Sequence, residues 1–330
     1  MSTSDRLDRT QRRHPALGFP LAIFYKFFDD MGNYLAVLLA YYALIAIIPL
    51  LLLASTILGF VLIGHPTLQE DLLDSALGQV PVIGEQLQVP GSFSGGIGAV
   101  LIGILGSLYG AVGVAQALQY AGNTIWHIPR NSRPNPFLAR GRSLVLLATA
   151  GFGMLVAVVG IAVLHGFVHD TLVARVLIGI AGVLVSTGVL LIAFQLAPNK
   201  QIAWRKLLPG AVLAAVSLQV LQNLSYVYVD HVIARASATN AIFAAVLGLL
   251  AYLYLAAVVV VFAMELNVVH AEGLWPRALL TPFTDNVSLT SADEEAYTGQ
   301  AQAQRTKGFE EIEVRFHESP VEQRIEDPDQ

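Results

Sequence analysis

Residues 33–63 read NYLAVLLAYYALIAIIPLLLLASTILGFVLI, without one charged side chain. A hydrocarbon core about 30 Å thick needs roughly 20 apolar residues of helix to cross it. The stretch is long enough, so the chain reads as an integral membrane protein. Comparable charge-poor runs follow near 97–125, 143–165, 175–197, 208–229 and 241–268. None is a short segment of alternating polarity, as a β-barrel strand would be. The expected fold is therefore an all-α membrane protein, a six-transmembrane-helix bundle.

Composition agrees. The chain is 55% hydrophobic and 13% charged, with mean hydropathy +0.61, against about 25% charge in an ordinary soluble domain. The 330 residues fit one membrane domain, 33–270, between a cytoplasmic N-terminus, 1–32, and a tail, 271–330. There is no cysteine, which excludes disulfides, thiolate metal sites and cysteine nucleophiles. Net charge is −5, yet residues 271–330 hold thirteen acidic and five basic side chains. The tail thus carries the negative excess, and the rest is slightly basic, as suits contact with anionic headgroups.

Basic residues set the orientation. The N-terminal segment (with Lys26), the second-to-third connection (Arg130, Arg133, Arg140, Arg142) and the fourth-to-fifth connection (Lys200, Arg205, Lys206) are basic. The opposite connections hold Arg175 and Arg235. The positive-inside rule then puts both termini in the cytoplasm. Trp126, Trp204 and Trp275 fall at cytoplasmic helix ends, where interfacial rings are favoured. No small-residue cleavage site follows the first run, so it reads as a retained span rather than a signal.

Three segments outside the spans stand out. Residues 19–31, FPLAIFYKFFDDM, suit an amphipathic helix lying in the inner interface. Residues 65–96 form the one long outer loop, in which LQEDLLDSAL has helical leucine spacing. Beyond about Leu280 the chain is acidic and Gln-rich and is expected to be largely disordered.

Polar groups inside spans are costly, so their placement is informative. In the second span Tyr109, Gln116, Gln119, Tyr120, Asn123 and His127 share a helix face; in the fifth, Gln219, Gln222, Asn223, Tyr226 and Asp230 do the same. Two such stripes suggest a hydrated cavity, or amides used as glue between helices at about 0.6–2 kcal/mol each. Small-residue stripes, Ala99, Gly103, Gly106, Gly110, Gly113 and Ala117, and Ala150, Gly153, Ala157 and Gly160, point to close helix packing. Glu265 is the one carboxylate within a predicted span. It reads as a ligand-site residue by default, or as an interfacial group that snorkels to Lys200, Arg205 or Lys206. His165, His169 and Asp170 end the third span, but no fourth ligand accompanies them, so no metal or other cofactor is expected. Pro49 lies mid-span and predicts a kink, whereas Pro209 fits the first turn of the fifth helix. No P-loop, GxSxG, dinucleotide fingerprint or two-metal acid cluster is present.

Four stretches carry a resemblance: FDDMGNYLAVLLAYYALIAIIPLLLL (28–53), ALQYAGNTIWHIPR (117–130), LAPNKQIAWRKLLPGAVLAA (196–215) and AMELNVV (263–269). Over roughly residues 20–272 the chain resembles the YihY/BrkB family of inner-membrane proteins. Glu265 and Asn267 match that family's closing acid–Asn element, and Pro209–Gly210 its element opening the fifth helix. The chain departs from the family where Ala46 and Ile47 precede the first-span proline region, and where Thr239–Asn240 replaces a Tyr-Gly pair. Members were once labelled ribonuclease BN, and one was described as a serum-resistance factor. The short basic loops, without a carboxylate pair, do not suit phosphodiester hydrolysis, and positive-inside sorting explains their charge.

Two functions are therefore expected, neither enzymatic and neither involving nucleic acid. In the first, a transporter or lipid-handling protein uses a polar cavity between the second, fifth and sixth helices. Glu265 and Asn267 bind a cation, proton or headgroup amine, and Gln116, Gln119, Tyr120, Asn123, Gln219, Gln222, Asn223 and Tyr226 line the path. In the second, a scaffold recruits envelope or cytoplasmic partners through the tail. Membrane lipids, an unknown solute or lipid ligand, and a second copy of the chain are the expected partners.

Overall fold

The computed structural model describes residue 8 and residues 10–62, 97–167, 172–228, 238–281 and 283–317. Among these residues there is no strand. The helices are α1 (Pro15–Asp29), α2 (Gly32–Leu62), α3 (Ile97–Ile125), α4 (Pro136–Phe167), α5 (Leu172–Leu196), α6 (Trp204–Tyr228), α7 (Ala238–Glu272) and α8 (Ser291–Gln302), with a 3-10 turn at Arg130–Ser132. The outer loop, His169, Asp170 and Asp230 lie outside the described residues, as do the side chains of His165 and Tyr226.

The described parts of the six apolar runs fall within α2 to α7, apart from Ala197 just past the end of α5. Among the described residues, four stretches are long and apolar enough to cross a membrane: Val100–Ile125, Gly179–Leu196, Trp204–Ser225 and Phe243–Glu272. A fifth is counted if α1 and the start of α2, bent by 67°, form one broken span. The structure thus supports four or five spans where six are expected from the sequence. The α7 stretch has mean hydropathy 2.6 yet is only 11% buried, so its apolar side chains point outward. Such a surface is stable in lipid, where the helix satisfies its own backbone. The chain is a multi-pass membrane protein.

One helix start differs from expectation. α6 opens at Trp204, so Pro209 lies inside the helix and not in its first turn; Arg205 and Lys206, taken as loop, are helical. α2 runs through Pro49 without interruption. The tail contains one helix that the sequence does not lead one to expect, α8, within a stretch expected to be largely disordered. A capping box explains the start of α8. The Thr290 hydroxyl accepts from the Asp293 amide, while the Asp293 side chain accepts from the Thr290 amide, which satisfies two donors at a helix end.

The chain divides into two compact units, residues 39–114 and residues 1–38 with 115–330. Within the first, α3 presents Gly106, Gly110 and Gly113 to α2. A side chain at Gly106 would stand 2.8 Å from the Pro49 ring, and those at Gly110 and Gly113 would collide with Ala46 and Tyr42. The small-residue stripe therefore lets two backbones meet. Within the second unit, α4, α5, α6 and α7 pack in sequence, and α1 packs on α7. Gly153 of α4 likewise meets Val189 of α5.

Candidate functional site

α1 is amphipathic in an unusual sense, because its inward face carries a charge. Ala22, Ile23, Tyr25, Lys26 and Phe27 are buried while Phe24 and Phe28 are exposed. Ala22 and Ile23 form a core with Val269 of α7, flanked by Phe19, Phe262, Leu266 and Trp275. The chain then turns sharply at Met31, whose φ is 55°. Gly32 makes this turn possible, since a Cβ there would lie 2.5 Å from the Phe27 ring.

This packing drives the Lys26 ammonium into the protein, 1% exposed. Nζ donates to Asp30 Oδ2 and, at 2.9 Å, to the carbonyl oxygen of Ile125 at the end of α3. It also lies 3.2 Å from Oε2 of Glu265, which is 0% exposed. Neither Glu265 oxygen has a hydrogen-bond partner among the described residues, and neither does Nδ2 of Asn267. On its other side Asp30 Oδ1 lies 3.1 Å from His127 Nε2. One ammonium is therefore held between two buried carboxylates, with an imidazole on the outer one.

The position of His127 is itself distinctive. α3 closes with His127 N–H donating to Thr124 O at 3.0 Å and Ile128 N–H to Asn123 O at 2.8 Å. This is a Schellman ending, in which the left-handed residue is usually glycine. Here it is His127, with φ 49°. A left-handed backbone costs an ordinary residue roughly 1–2 kcal/mol, which the Asp30 contact offsets.

A second charged group secures the tail. Arg277 and Asp293 are both 0% exposed and paired through Nε and Oδ1. The guanidinium also donates to Asp29 Oδ2 at 3.0 Å and lies 5.3 Å from the Tyr297 ring centre. Burial alone would lower the Arg277 pKa, but the Asp293 and Asp29 carboxylates hold it above its ordinary value. Asp293 Oδ2 accepts in addition from the Ala278 and Thr290 amides, each at 2.9 Å. Gln300 of α8 donates to the Asp29 carbonyl oxygen at 2.5 Å. Between α8, the end of α3 and the end of α7 lies a cleft of about 840 Å³, whose lining includes His127, Lys200, Glu272, Glu294, Glu295 and Gly299.

The polar stripes behave differently from a common cavity. Gln119 is buried and donates to Ser143 Oγ at 2.8 Å, and Asn123 Oδ1 accepts from the Asn199 amide at 2.7 Å. Both serve as packing glue. Tyr120 is half-exposed, with the Arg133 guanidinium 5.6 Å from its ring centre, and Tyr109 is exposed. Gln116 and Gln219 are partly buried, whereas Gln222 and Asn223 are exposed. The reason lies on α6, where Leu207, Gly210, Ala211, Ala214 and Ala215 provide the buried face and the amides fall elsewhere.

Glu265 pairs with Lys26, and not with the basic residues expected for it: Lys200 binds Glu272 at 2.9 Å, and Lys206 donates to the Ala271 carbonyl oxygen at 3.3 Å. Lys26, Asp29 and Asp30 thus face the protein rather than the membrane interface. Trp126, expected at the lipid boundary, is buried under the Lys200 ammonium, 5.2 Å from its ring centre. Asn267 Oδ1 accepts from the Gly210 amide at 2.8 Å, joining two sequence elements that share the resemblance. Among the described residues no group of three or more metal-ligating side chains could hold an ion.

Lys26, Asp30 and Asp293 were not singled out as site residues from the sequence, and His127 was noted only as the end of the polar stripe of the second span. Signals for them exist: the i, i+4 spacing of Lys26 and Asp30, and the Thr-x-x-Asp capping box at Thr290.

No curated protein and no solved structure matches the chain. A family model described as "Virulence factor BrkB" matches residues 23–279, a range that takes in Lys26, Asp30, His127, Glu265, Asn267 and Arg277 but not Asp293. Its apolar helices and this match together establish that the chain belongs to the BrkB virulence factor family.

Proposed function

We propose that the chain is a six-span inner-membrane protein that moves or handles a solute or lipid, with Glu265 as its ligand-responsive residue. The observation that carries this reading is the imbalance at Lys26: two buried carboxylates share one ammonium, and Glu265 has that ammonium, at 3.2 Å, as its one polar partner among the described residues. A buried ion pair is weak evidence for stability, and intramembrane acids mark pathways and relays. A proton, a small cation or a headgroup amine would each complete the charge. Orientation follows the basic connections, with both termini cytoplasmic.

The glutamine-lined path of the sequence reading has less support, since Gln119 and Asn123 are committed to packing. The scaffold reading is weakened as well. Ala292, Asp293 and Ala296 of α8 turn inward, so at α8 the tail packs on the body it was expected to extend from.

Native mass spectrometry in lipid nanodiscs tests the proposal. A stoichiometric lipid or solute retained by the wild type and lost in Glu265→Gln is the expected result. Equal retention by both forms would refute Glu265 as the ligand-responsive residue.

A further inference from the structure

The ion cluster is graded in exposure from one end to the other. Side-chain exposure falls from 11% at His127 to 2% at Asp30, 1% at Lys26 and 0% at Glu265. Successive polar atoms lie within hydrogen-bond or ion-pair distance along this line: His127 Nε2 to Asp30 Oδ1 at 3.1 Å, Asp30 Oδ2 to Lys26 Nζ, and Lys26 Nζ to Glu265 Oε2 at 3.2 Å. His127 also lines the polar cleft beneath α8. Its second ring nitrogen faces Gly299, where a Cβ would stand 2.5 Å from Nδ1. With a neutral imidazole the four groups carry one net negative charge, so a single added proton neutralises them.

We propose that His127, Asp30, Lys26 and Glu265 form a proton relay that loads one exchangeable proton onto Glu265 from the cleft. The proposal rests on the reading of Glu265 as a functional site and names the proton as its ligand. The steps balance. A proton from cleft water adds at His127 Nδ1, and the Nε2 proton passes to Asp30 Oδ1. The Asp30 carboxyl group turns to carry that proton from the His127 side to the Lys26 side, and gives it to Lys26 as the ammonium gives one to Glu265 Oε2. Asp30 and Lys26 end as they began and Glu265 is neutral; His127, left with its proton on Nδ1, returns to the starting tautomer by losing that proton to cleft water and taking one from water at Nε2. The unusual left-handed backbone at residue 127 fits this role, because an outlier conformation kept at a non-glycine residue marks a position held for its side chain.

The charged neighbours favour entry at the cleft. His127 is faced by Asp30 from α1, Lys200 from the α5–α6 connection, Glu272 from α7, and Glu294 and Glu295 from α8. Glu265 is faced by Lys26 from α1, with Asp29 and Asp30 beyond. Carboxylates that outnumber ammonium groups in the cleft raise the local proton concentration at its wall.

The test is pH-jump infrared spectroscopy on the full chain in nanodiscs, following the carbonyl stretch of a buried protonated carboxyl group. The wild type is expected to gain that band on acidification, and Glu265→Gln to lack it. His127→Gln keeps a donor for Asp30 but cannot shuttle a proton; it should reach the same amplitude about 10²-fold more slowly, the usual scale of a positioned proton-transfer group. Gly299→Ala, which keeps all four relay side chains but crowds the entry atom Nδ1, should slow the rise as well and guards against misfolding of the histidine variant. A band that survives in Glu265→Gln, or an unchanged rate in both other variants, overturns the relay. Ammonium or sodium retained by the wild type and lost in Glu265→Gln in native mass spectra, with no infrared band in the wild type, would overturn the relay while leaving Glu265 as a cation site.

Discussion

Replacing Lys26 with methionine keeps the apolar stem and removes the ammonium that holds Asp30 and Glu265 together. Truncating one partner of a buried ion pair costs about 3–5 kcal/mol, because the charge left behind has nothing to answer it. Two carboxylates are left here, and the Ile125 carbonyl oxygen loses its donor as well, for a further 1–3 kcal/mol or so. The loss should therefore be at least about 3 kcal/mol, a change of roughly 10²-fold or more in the folded population. Glu265→Gln is the contrasting perturbation. It leaves the Lys26–Asp30 pair intact and removes the surplus charge, so its cost should fall within about 1 kcal/mol of zero or be favourable. A triple variant, Lys26→Met, Asp30→Asn and Glu265→Gln, has no buried charge left in the triad and should recover most of the loss. Denaturant titration of the detergent-solubilised chain, followed by tryptophan fluorescence, measures all three. Equal losses for Lys26→Met and Glu265→Gln, or no recovery in the triple variant, would refute the charge accounting.

Other predictions concern packing and the tail. Asp293→Ala removes the partner of Arg277 and acceptors for the Ala278 and Thr290 amides; it should release α8 and make residues 281–302 sensitive to limited proteolysis. Gly210→Ala places a methyl against the Ala263 carbonyl and Asn267, and should cost about 1–3 kcal/mol of thermal stability as overpacking. His127→Gly relieves the left-handed strain but loses the Asp30 contact, so its stability should change by under about 1 kcal/mol while proton exchange at Glu265 slows. Docking of α8 should hold from neutral pH to about pH 10 and weaken above it, read as protease sensitivity against pH. Burial and the Asp29 charge hold the Tyr297 hydroxyl above its ordinary 10.0. A raised value means that stability is present below the unfolded pKa and lost as pH rises through the folded one; Arg277, also raised, titrates higher still.

Helix positions were legible because each apolar run exceeds what a soluble core needs, and the glycine stripe of α3 was legible because its spacing repeats every three or four residues. Asn267 and Gly210 were marked by resemblance, and their contact explains why the two elements go together. The partner of Glu265 was not legible. Lys26 sits in an aromatic segment whose charges look interfacial, and nothing local says which face α1 buries; that is decided by Ala22 and Ile23 meeting Val269 from the far end of the chain. The polar stripes misled for a related reason. Periodicity says that residues share a face, not what the face meets, and on α6 the alanines took the packed side. Composition hid α8, since an acidic, Gln-rich stretch is ordered here by one capping box and one buried arginine.

The pairing of Lys26 with Glu265 also sets an order on biosynthesis. Lys26 and Asp30 leave the ribosome together and can neutralise each other within a single helical turn while the rest of the chain is still being made. Glu265 has no acidic-to-basic partner on its own helix and arrives with the last long apolar segment, where a charge is expensive to insert. Its counter-ion is already waiting on α1, so capture by Lys26 can draw α7 into place.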